Sequence, residues 1–264
     1  MSDGPPPVLQ ARGLSLRYPG VPQDVFRGVD LSLARGEVVA VLGASGAGKS
    51  SLLRVLAGLQ PASDGTVLME GEPLAGVHPR VAVAFQDPCL LPWLSLESNV
   101  AFGLDFKHQP PLAAAERRSR IDQAIAEVGL AHARHLRPAQ LSGGMAQRTA
   151  LARCLARQPA VLLLDEPFGA LDEVTRGEMQ DLLRKVVADF RTAAVLITHD
   201  IDEALVLADR IVLLGGAPGR ILGAWEVGLP HPRADLLPEM GALRLEILAR
   251  LRAALRPAQD AATA

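Results

Sequence analysis

Hydrophobic and polar positions along this chain change period several times, and the changes mark its elements. Val8 to Tyr18 alternates every second residue and is punctuated by Gly13 and by Pro19-Gly20, which predicts a strand and a turn. Glu37 to Leu42 is a short β-branched apolar run that suits a buried central strand. A glycine-rich turn follows it, then a helix over about Lys49 to Ala57. Thr66 to Met69 and Val81 to Phe85 read as further strands. From Ser95 to Leu136 the pattern turns helical and more polar, with Ile121, Ile125 and Val128 on one face. Another helix starts after Ser142, and Pro159 marks its end.

The strand pattern then resumes. Val161 to Leu164 predicts a buried strand, and Met179, Leu182, Leu183, Val186, Val187 and Phe190 form an apolar stripe at helical spacing. Ala194 to Ile197 is the next strand. Asp200 and Glu203 stand at capping-box spacing where the following helix starts. Ile211 to Leu214 is another strand, and Met240 to Leu255 reads as an amphipathic terminal helix. The Pro-rich residues 1–7 and the Ala-rich end beyond Pro257 read as loose. Strands alternating with helices predict an α/β fold with a mostly parallel, covered sheet. The stretch from Ser95 through the helix after Ser142 reads as an inserted α-helical lobe.

Composition narrows the function classes. With 264 residues, 49% hydrophobic and 21% charged, the chain can bury a sizeable core. A formal net charge of -2 gives no bulk attraction to nucleic acid, and 3% aromatics makes single-strand stacking platforms unexpected. Cys89 and Cys154 have no zinc-ligand spacing and read as reduced thiols, with Cys154 as core filler beside Leu151 and Leu155. The N-terminus shows no secretory signal, and no run approaches the roughly 18 apolar residues of a membrane span, so any membrane role is expected to be peripheral.

The candidate chemistry begins at residues 43–50: Gly43, Ala44, Ser45, Gly46, Ala47, Gly48, Lys49 and Ser50. This is the phosphate-binding loop pattern, lying where it must, between a strand and a helix. The glycines let backbone N–H groups converge on an anion, and the helix N-terminus adds its positive end. Lys49 is expected to reach the β- and γ-phosphates, and the Ser50 hydroxyl to ligate Mg²⁺. Further on, the apolar run from Val161 ends in Asp165 and Glu166. A carboxylate at the tip of a buried strand is costly unless it faces a cation or water. Asp165 is placed to hold the shell of Mg²⁺, and Glu166 to orient or deprotonate an attacking water.

A third motif, Leu141-Ser142-Gly143-Gly144-Met145-Ala146-Gln147, shortly precedes that acidic strand. Ser142 can cap a helix whose first N–H groups the glycines leave open to an anion. With these three motifs in this order, the chain resembles the nucleotide-binding subunits of ABC transporters over about Val8 to Arg233. Met145 and Ala146 depart from the general signature, which has glutamine and often a basic residue there. Ser51 stands where many members have threonine and keeps a hydroxyl.

The resemblance implies the rest. The fold is a P-loop NTPase core, mostly parallel, with an N-terminal antiparallel β portion and an inserted helical lobe. The ATPase domain covers 8–240, with a RecA-like core at 8–86 and 160–233 and the lobe at about 87–159; a helix and tail occupy 241–264. Gln86 resembles the Q-loop glutamine, and with Ser50 and Asp165 (through water) is implied as a magnesium ligand. Ala170-Leu171-Asp172 resembles the D-loop. His199 resembles the switch histidine at the γ-phosphate, and Tyr18 the aromatic that stacks on adenine, although it could be a plain strand tyrosine. ATP and Mg²⁺ are the implied cofactors, with Gly43 to Ser51, Tyr18 and Gln86 binding the nucleotide. Lys49, Glu166 and His199 carry the implied chemistry.

The implied partners are a second copy, whose Ser142, Gly143, Gly144 and Met145 act in trans, two transmembrane permease subunits, and through them a periplasmic or extracellular solute-binding protein. The implied place is the cytoplasmic face of the inner membrane, as a peripheral subunit without nucleic acid. Asp87 to about Leu104, with Leu90, Leu91, Trp93 and Phe102, reads as the surface that meets the permease, or else as lobe core. Leu90-Leu-Pro-Trp93, Asn99-Val-Ala-Phe-Gly103, Pro218-Gly-Arg-Ile221 and Leu229-Pro-His-Pro-Arg233 look like the nitrate, sulfonate, taurine and bicarbonate importer subfamily. The chain leaves no room for a large regulatory C-terminal domain. The alternatives are a non-transport ABC ATPase on nucleic acid or the ribosome, a non-catalytic scaffold and an exporter ATPase. The first usually carries coiled-coil insertions or paired cassettes; a scaffold predicts damage at Lys49, Asp165, Glu166 or His199; exporters often fuse membrane spans. None of these features is in the sequence.

Overall fold

The computed structural model describes residues 6–104 and 109–255. Residues 1–5 of the Pro-rich start and the Ala-rich end beyond Pro257 lie outside the described residues. In chain order the elements are β1 Leu9–Leu16, β2 Phe26–Leu33, β3 Val38–Leu42, α1 Lys49–Leu56, β4 Asp64–Met69, β5 Glu72–Pro73, β6 Val81–Ala84, α2 Leu96–Ala101, α3 Ala114–Glu127, α4 Gly143–Leu155, β7 Val161–Asp165, α5 Glu173–Phe190, β8 Ala193–Thr198, α6 Ile201–Leu207, β9 Arg210–Gly215, β10 Arg220–Glu226 and α7 Gly241–Leu255. They form two compact units, Met1–Gly76 with Val195–Ala264, and Val77–Ala194.

The first unit holds an antiparallel sheet in the order β2-β1-β4-β5, the N-terminal β portion that was expected. Its other strands run β10-β9-β3-β8. β3 and β9 are parallel in the register Val39 to Arg210 through Leu42 to Leu213, and β10 closes the edge antiparallel to β9. Every residue of β3 and β8 is buried, which is why both read as unbroken apolar runs. Neither β2 nor β10 stood out in the sequence. β10 has no buried residue and alternates only between exposed and half-buried positions, the pattern of an edge strand.

The second unit pairs β6 and β7 in parallel, Val81 with Val161 through Ala84 with Leu164. The helical stretch from Ser95 breaks into α2, α3 and two short 3₁₀ turns. Ile121 and Ile125 are buried on one face of α3, and Val128 is buried just after it. This unit is larger than the lobe drawn from the sequence. It also contains β6, β7 and α5, because α4 packs on β6 and α5 as well as on α2 and α3. In α7, Ile247 is fully buried and Leu245 faces outward, so its buried stripe is narrow.

Candidate nucleotide-binding site

In the first unit, buried β3 delivers the chain into the loop 43–48. Ser45 and Gly46 lie exposed at its tip, while Gly43, Ala47 and Lys49 are buried. Gly48 is the N-cap of α1 at φ 93, ψ 10, a left-handed conformation that glycine adopts without strain. A Cβ there would also lie 3.0 Å from Val25 Cγ1. No side chain caps α1. Its first turn therefore offers backbone donors and a positive dipole end to an anion rather than to its own residues.

Lys49 is only 6% exposed, and its Nζ donates to the carbonyls of Gly43 at 2.8 Å and Ala44 at 3.0 Å. The loop thus wraps a buried cation. Ser50 and Ser51 are half-buried. The Ser51 hydroxyl meets the Tyr18 hydroxyl at 3.2 Å, a pairing with no sequence signal, and Tyr18 also donates to Gln60 Oε1 at 3.5 Å. The Ser51 contact, more than any other, holds the Tyr18 phenol below its ordinary range. Tyr18 borders an open cavity of about 690 Å³ together with Arg17, Pro19 and Ser63.

His199 is exposed between β8 and α6. Asp200 caps α6, its carboxylate accepting from the N–H groups of Asp202 at 2.8 Å and Glu203 at 3.2 Å. The expected capping box forms only in this direction. Glu203 does not reach back to the Asp200 N–H. Its carboxylate turns inward to Thr198, and the Asp200 N–H donates to Thr198 Oγ1 at 3.0 Å instead.

In the second unit, Asp165 ends β7 and Glu166 follows at φ 46, a left-handed conformation that costs a non-glycine residue about 1–3 kcal/mol. Both are half-buried. Gln86 is exposed just after β6, and its Nε2 would lie 3.6 Å from a Cβ on Gly169, so Gln86 sits against the turn that follows Glu166. Asp172 caps α5, accepting from Thr175 N at 3.0 Å and Thr175 Oγ1 at 2.7 Å. The Thr175 backbone bond is the main reason its carboxyl is held below the usual range. Ser142 caps α4 by accepting from the Met145 N–H at 3.2 Å, and the Thr149 hydroxyl donates to the Met145 carbonyl at 2.7 Å. Gly143 is exposed, and Gly144 lies half-buried against Thr175.

The sequence from 26 to 169 matches the family model described as ABC transporter. The chain belongs to the ABC transporter family. It is 47% identical over 239 residues to the aliphatic sulfonates import ATP-binding protein SsuB 1 of Xanthomonas axonopodis pv. citri, covering 89% of this chain and 94% of that one. It is 45% identical over 228 residues to the bicarbonate transport ATP-binding protein CmpC of Synechocystis, but spans only 34% of that longer protein. Among solved structures, it superposes with a TM-score of 0.72 and 28% identity on a dimeric, post-hydrolysis ATP-binding cassette bound to ADP and phosphate, covering 84% of this chain and 100% of that chain.

In this ABC cassette the loop 43–48 leads from β3 into α1, Ser142 stands at the start of α4, and Asp165 ends β7. In the first unit Ser50 offers a hydroxyl, and in the second Gln86 and Asp165 offer an amide oxygen and a carboxylate, donors of the kind a hard cation such as Mg²⁺ takes. Among the described residues no group of three or more His, Cys, Asp or Glu could hold a metal. The sequence reading gave no structural role to Thr175 or Thr198, and it named Asn99 only as part of a subfamily motif. Asn99 is fully buried, accepts from the Leu91 N–H at 2.8 Å and donates to the carbonyls of Leu91, Leu94 and Ser95. It thereby shapes the loop 91–95, in which Trp93 is 67% exposed; Phe102, just after α2, is 40% exposed. No helix among the described residues is long and apolar enough to cross a membrane.

Proposed function

We propose that this chain is the ATP-binding and ATP-hydrolysing subunit of an ABC importer, working as a homodimer on a pair of transmembrane permease subunits. The observation that carries this reading is the loop 43–50, which encloses the Lys49 cation and opens an uncapped helix start at Gly48. An anion bound there meets backbone donors, a helix dipole and a lysine at once.

In this reading Lys49 moves from the carbonyls of Gly43 and Ala44 to the β- and γ-phosphates. Tyr18 stacks on adenine, and Ser51 orients Tyr18 through the hydroxyl contact. Ser50, Gln86 and Asp165, the last through water, hold Mg²⁺, which when bound neutralises charge on the phosphate oxygens. Glu166 orients and deprotonates the attacking water, and His199 contacts the γ-phosphate. Ser142, Gly143, Gly144 and Met145 cover the nucleotide of the second copy. The γ-phosphate is then held by both copies, so ATP binding favours the closed pair and hydrolysis releases it. That two-state element is what a transporter needs.

The exposed surface around Trp93 and Phe102 supports a permease contact, and the chain is then a peripheral subunit on the cytoplasmic face of the membrane. A solute-binding protein joins through the permease. The transported solute in this reading belongs to the nitrate, sulfonate, taurine and bicarbonate class; the names of the two relatives support sulfonates and bicarbonate within it. Purified protein should release phosphate from ATP and pair in an ATP-dependent way when supplied with its permease; absence of both would refute the assignment.

A further inference from the structure

His199 is an exposed histidine held between two chain neighbours that are both tied to the first turn of α6. Thr198 is buried; its hydroxyl donates to Glu203 Oε2 at 2.6 Å and accepts from the Asp200 N–H at 3.0 Å. A hydroxyl has one proton. Because an amide N–H can only donate, the threonine proton is left for the carboxylate. The relay therefore has one direction, from the Asp200 N–H through the Thr198 hydroxyl to Glu203.

Glu203 is 6% exposed, an expensive place for a carboxyl group. The start of α6 does not require it there, because Asp200 already receives the N–H groups of residues 202 and 203. What the buried carboxylate adds is an anchor for Thr198, and through Thr198 for the backbone on both sides of His199. Asp202, on the same turn, pairs with Arg244 of α7 at 2.6 Å and 3.1 Å, so the turn that carries the relay is also fixed from outside.

We propose that Glu203 is a positioning residue for ATP hydrolysis: acting through Thr198, it fixes the aim of the His199 imidazole at the γ-phosphate. This rests on the assignment of His199 to the γ-phosphate. Small displacements of a contact made in the transition state lower turnover far more than they lower binding.

The test compares Glu203→Ala, Glu203→Gln, Thr198→Val, Thr198→Ser, His199→Ala and the double variant Glu203→Ala/His199→Ala in the full chain. ATPase turnover at saturating ATP, ATP affinity by calorimetry and Tm are measured for each. Glu203→Ala and Thr198→Val are expected to lose about tenfold in turnover with ATP affinity changed by less than about twofold. Glu203→Gln keeps a carbonyl acceptor and Thr198→Ser keeps the hydroxyl, so both should regain most of the turnover. With His199 already absent, Glu203→Ala should cost nothing more, because the group it positions is gone.

A loss that simply adds to that of His199→Ala, or that neither conservative variant relieves, overturns the proposal in favour of a plain structural role. Full turnover in Glu203→Ala beside a large loss in His199→Ala overturns the positioning role alone. Full turnover in His199→Ala overturns both the positioning role and the assignment beneath it. If Glu203→Ala does not fold, Thr198→Val against Thr198→Ser gives the same comparison with near-isosteric side chains.

Discussion

Gly144 and Thr175 approach so closely that a Cβ on Gly144 would lie 2.5 Å from the Thr175 γ-methyl. Gly144 belongs to the first turn of α4, which Ser142 caps, and Thr175 to the first turn of α5, which Asp172 caps. Asp172 holds Thr175 by both its N–H and its hydroxyl, so the methyl cannot swing away without breaking a 2.7 Å bond. The first turns of α4 and α5 therefore share one wall, and the glycine is a steric requirement of that wall.

Gly144→Ala should overpack this contact and destabilise the protein by about 1–3 kcal/mol. The rescue is specific. Thr175→Ser removes the offending methyl but keeps the hydroxyl that Asp172 accepts, and the next nearest Thr175 atoms lie 3.9 Å away, at ordinary contact distance. Thermal unfolding of Gly144→Ala and of the double variant Gly144→Ala/Thr175→Ser checks this: the double variant should recover most of the lost Tm. No recovery would mean that the clash is not the cause.

Lys49→Ala removes the cation that the loop encloses and leaves the Gly43 and Ala44 carbonyls without that donor. A hydrogen bond to a charged group contributes about 1.5–3 kcal/mol, so ATP should bind about 10- to 100-fold more weakly. Calorimetry with ATP measures this directly. Wild-type affinity in the variant would contradict the role of the loop.

The parts of this fold that were legible in the sequence are those where a local pattern and the final environment agree. β3, β7 and β8 are unbroken apolar runs because they are buried almost throughout, and the loop at 43–50 is written in glycines because its backbone must turn left-handed at Gly46 and Gly48. β10 was not legible because an edge strand with no buried residue needs no strong pattern. The inward turn of Glu203 was not legible either: its spacing from Asp200 fits a capping box, and only the buried Thr198 hydroxyl, contributed by the preceding strand, draws the side chain the other way. Thr175 carried a weak signal, a threonine three residues after a capping aspartate. Its contact with Gly144 spans a long stretch of sequence and could not be read from either segment alone.

Glu166→Gln tests the water-activating role without disturbing the backbone. The residue sits at φ 46, and glutamine, with the same shape and size, meets the same left-handed constraint, so Tm should hold. Turnover should fall about 10²- to 10⁴-fold, the usual contribution of a general base, while ATP binding persists. With hydrolysis blocked, light scattering should find ATP-bound pairs accumulating. Turnover equal to that of the wild type would remove Glu166 from the mechanism.

The two thiols should separate by accessibility. Cys89 is exposed, whereas Cys154 is buried in α4 with its Sγ 3.4 Å from the Val83 carbonyl. Burial pushes the Cys154 thiol up to about 11. Between the ordinary thiol value of 9.0 and that value, the folded chain keeps a proton that the unfolded chain gives up. The stabilisation is therefore complete below the ordinary range and is lost as pH rises towards 11, amounting to about 2–3 kcal/mol. Melting curves from pH 8 to pH 11 should fall more steeply for the wild type than for Cys154→Ala, which has no such proton to lose. A thiol reagent should modify Cys89 in the native protein and reach Cys154 only on unfolding. Parallel melting curves for the two proteins, or rapid native labelling of both thiols, would show that Cys154 is not sealed in the core.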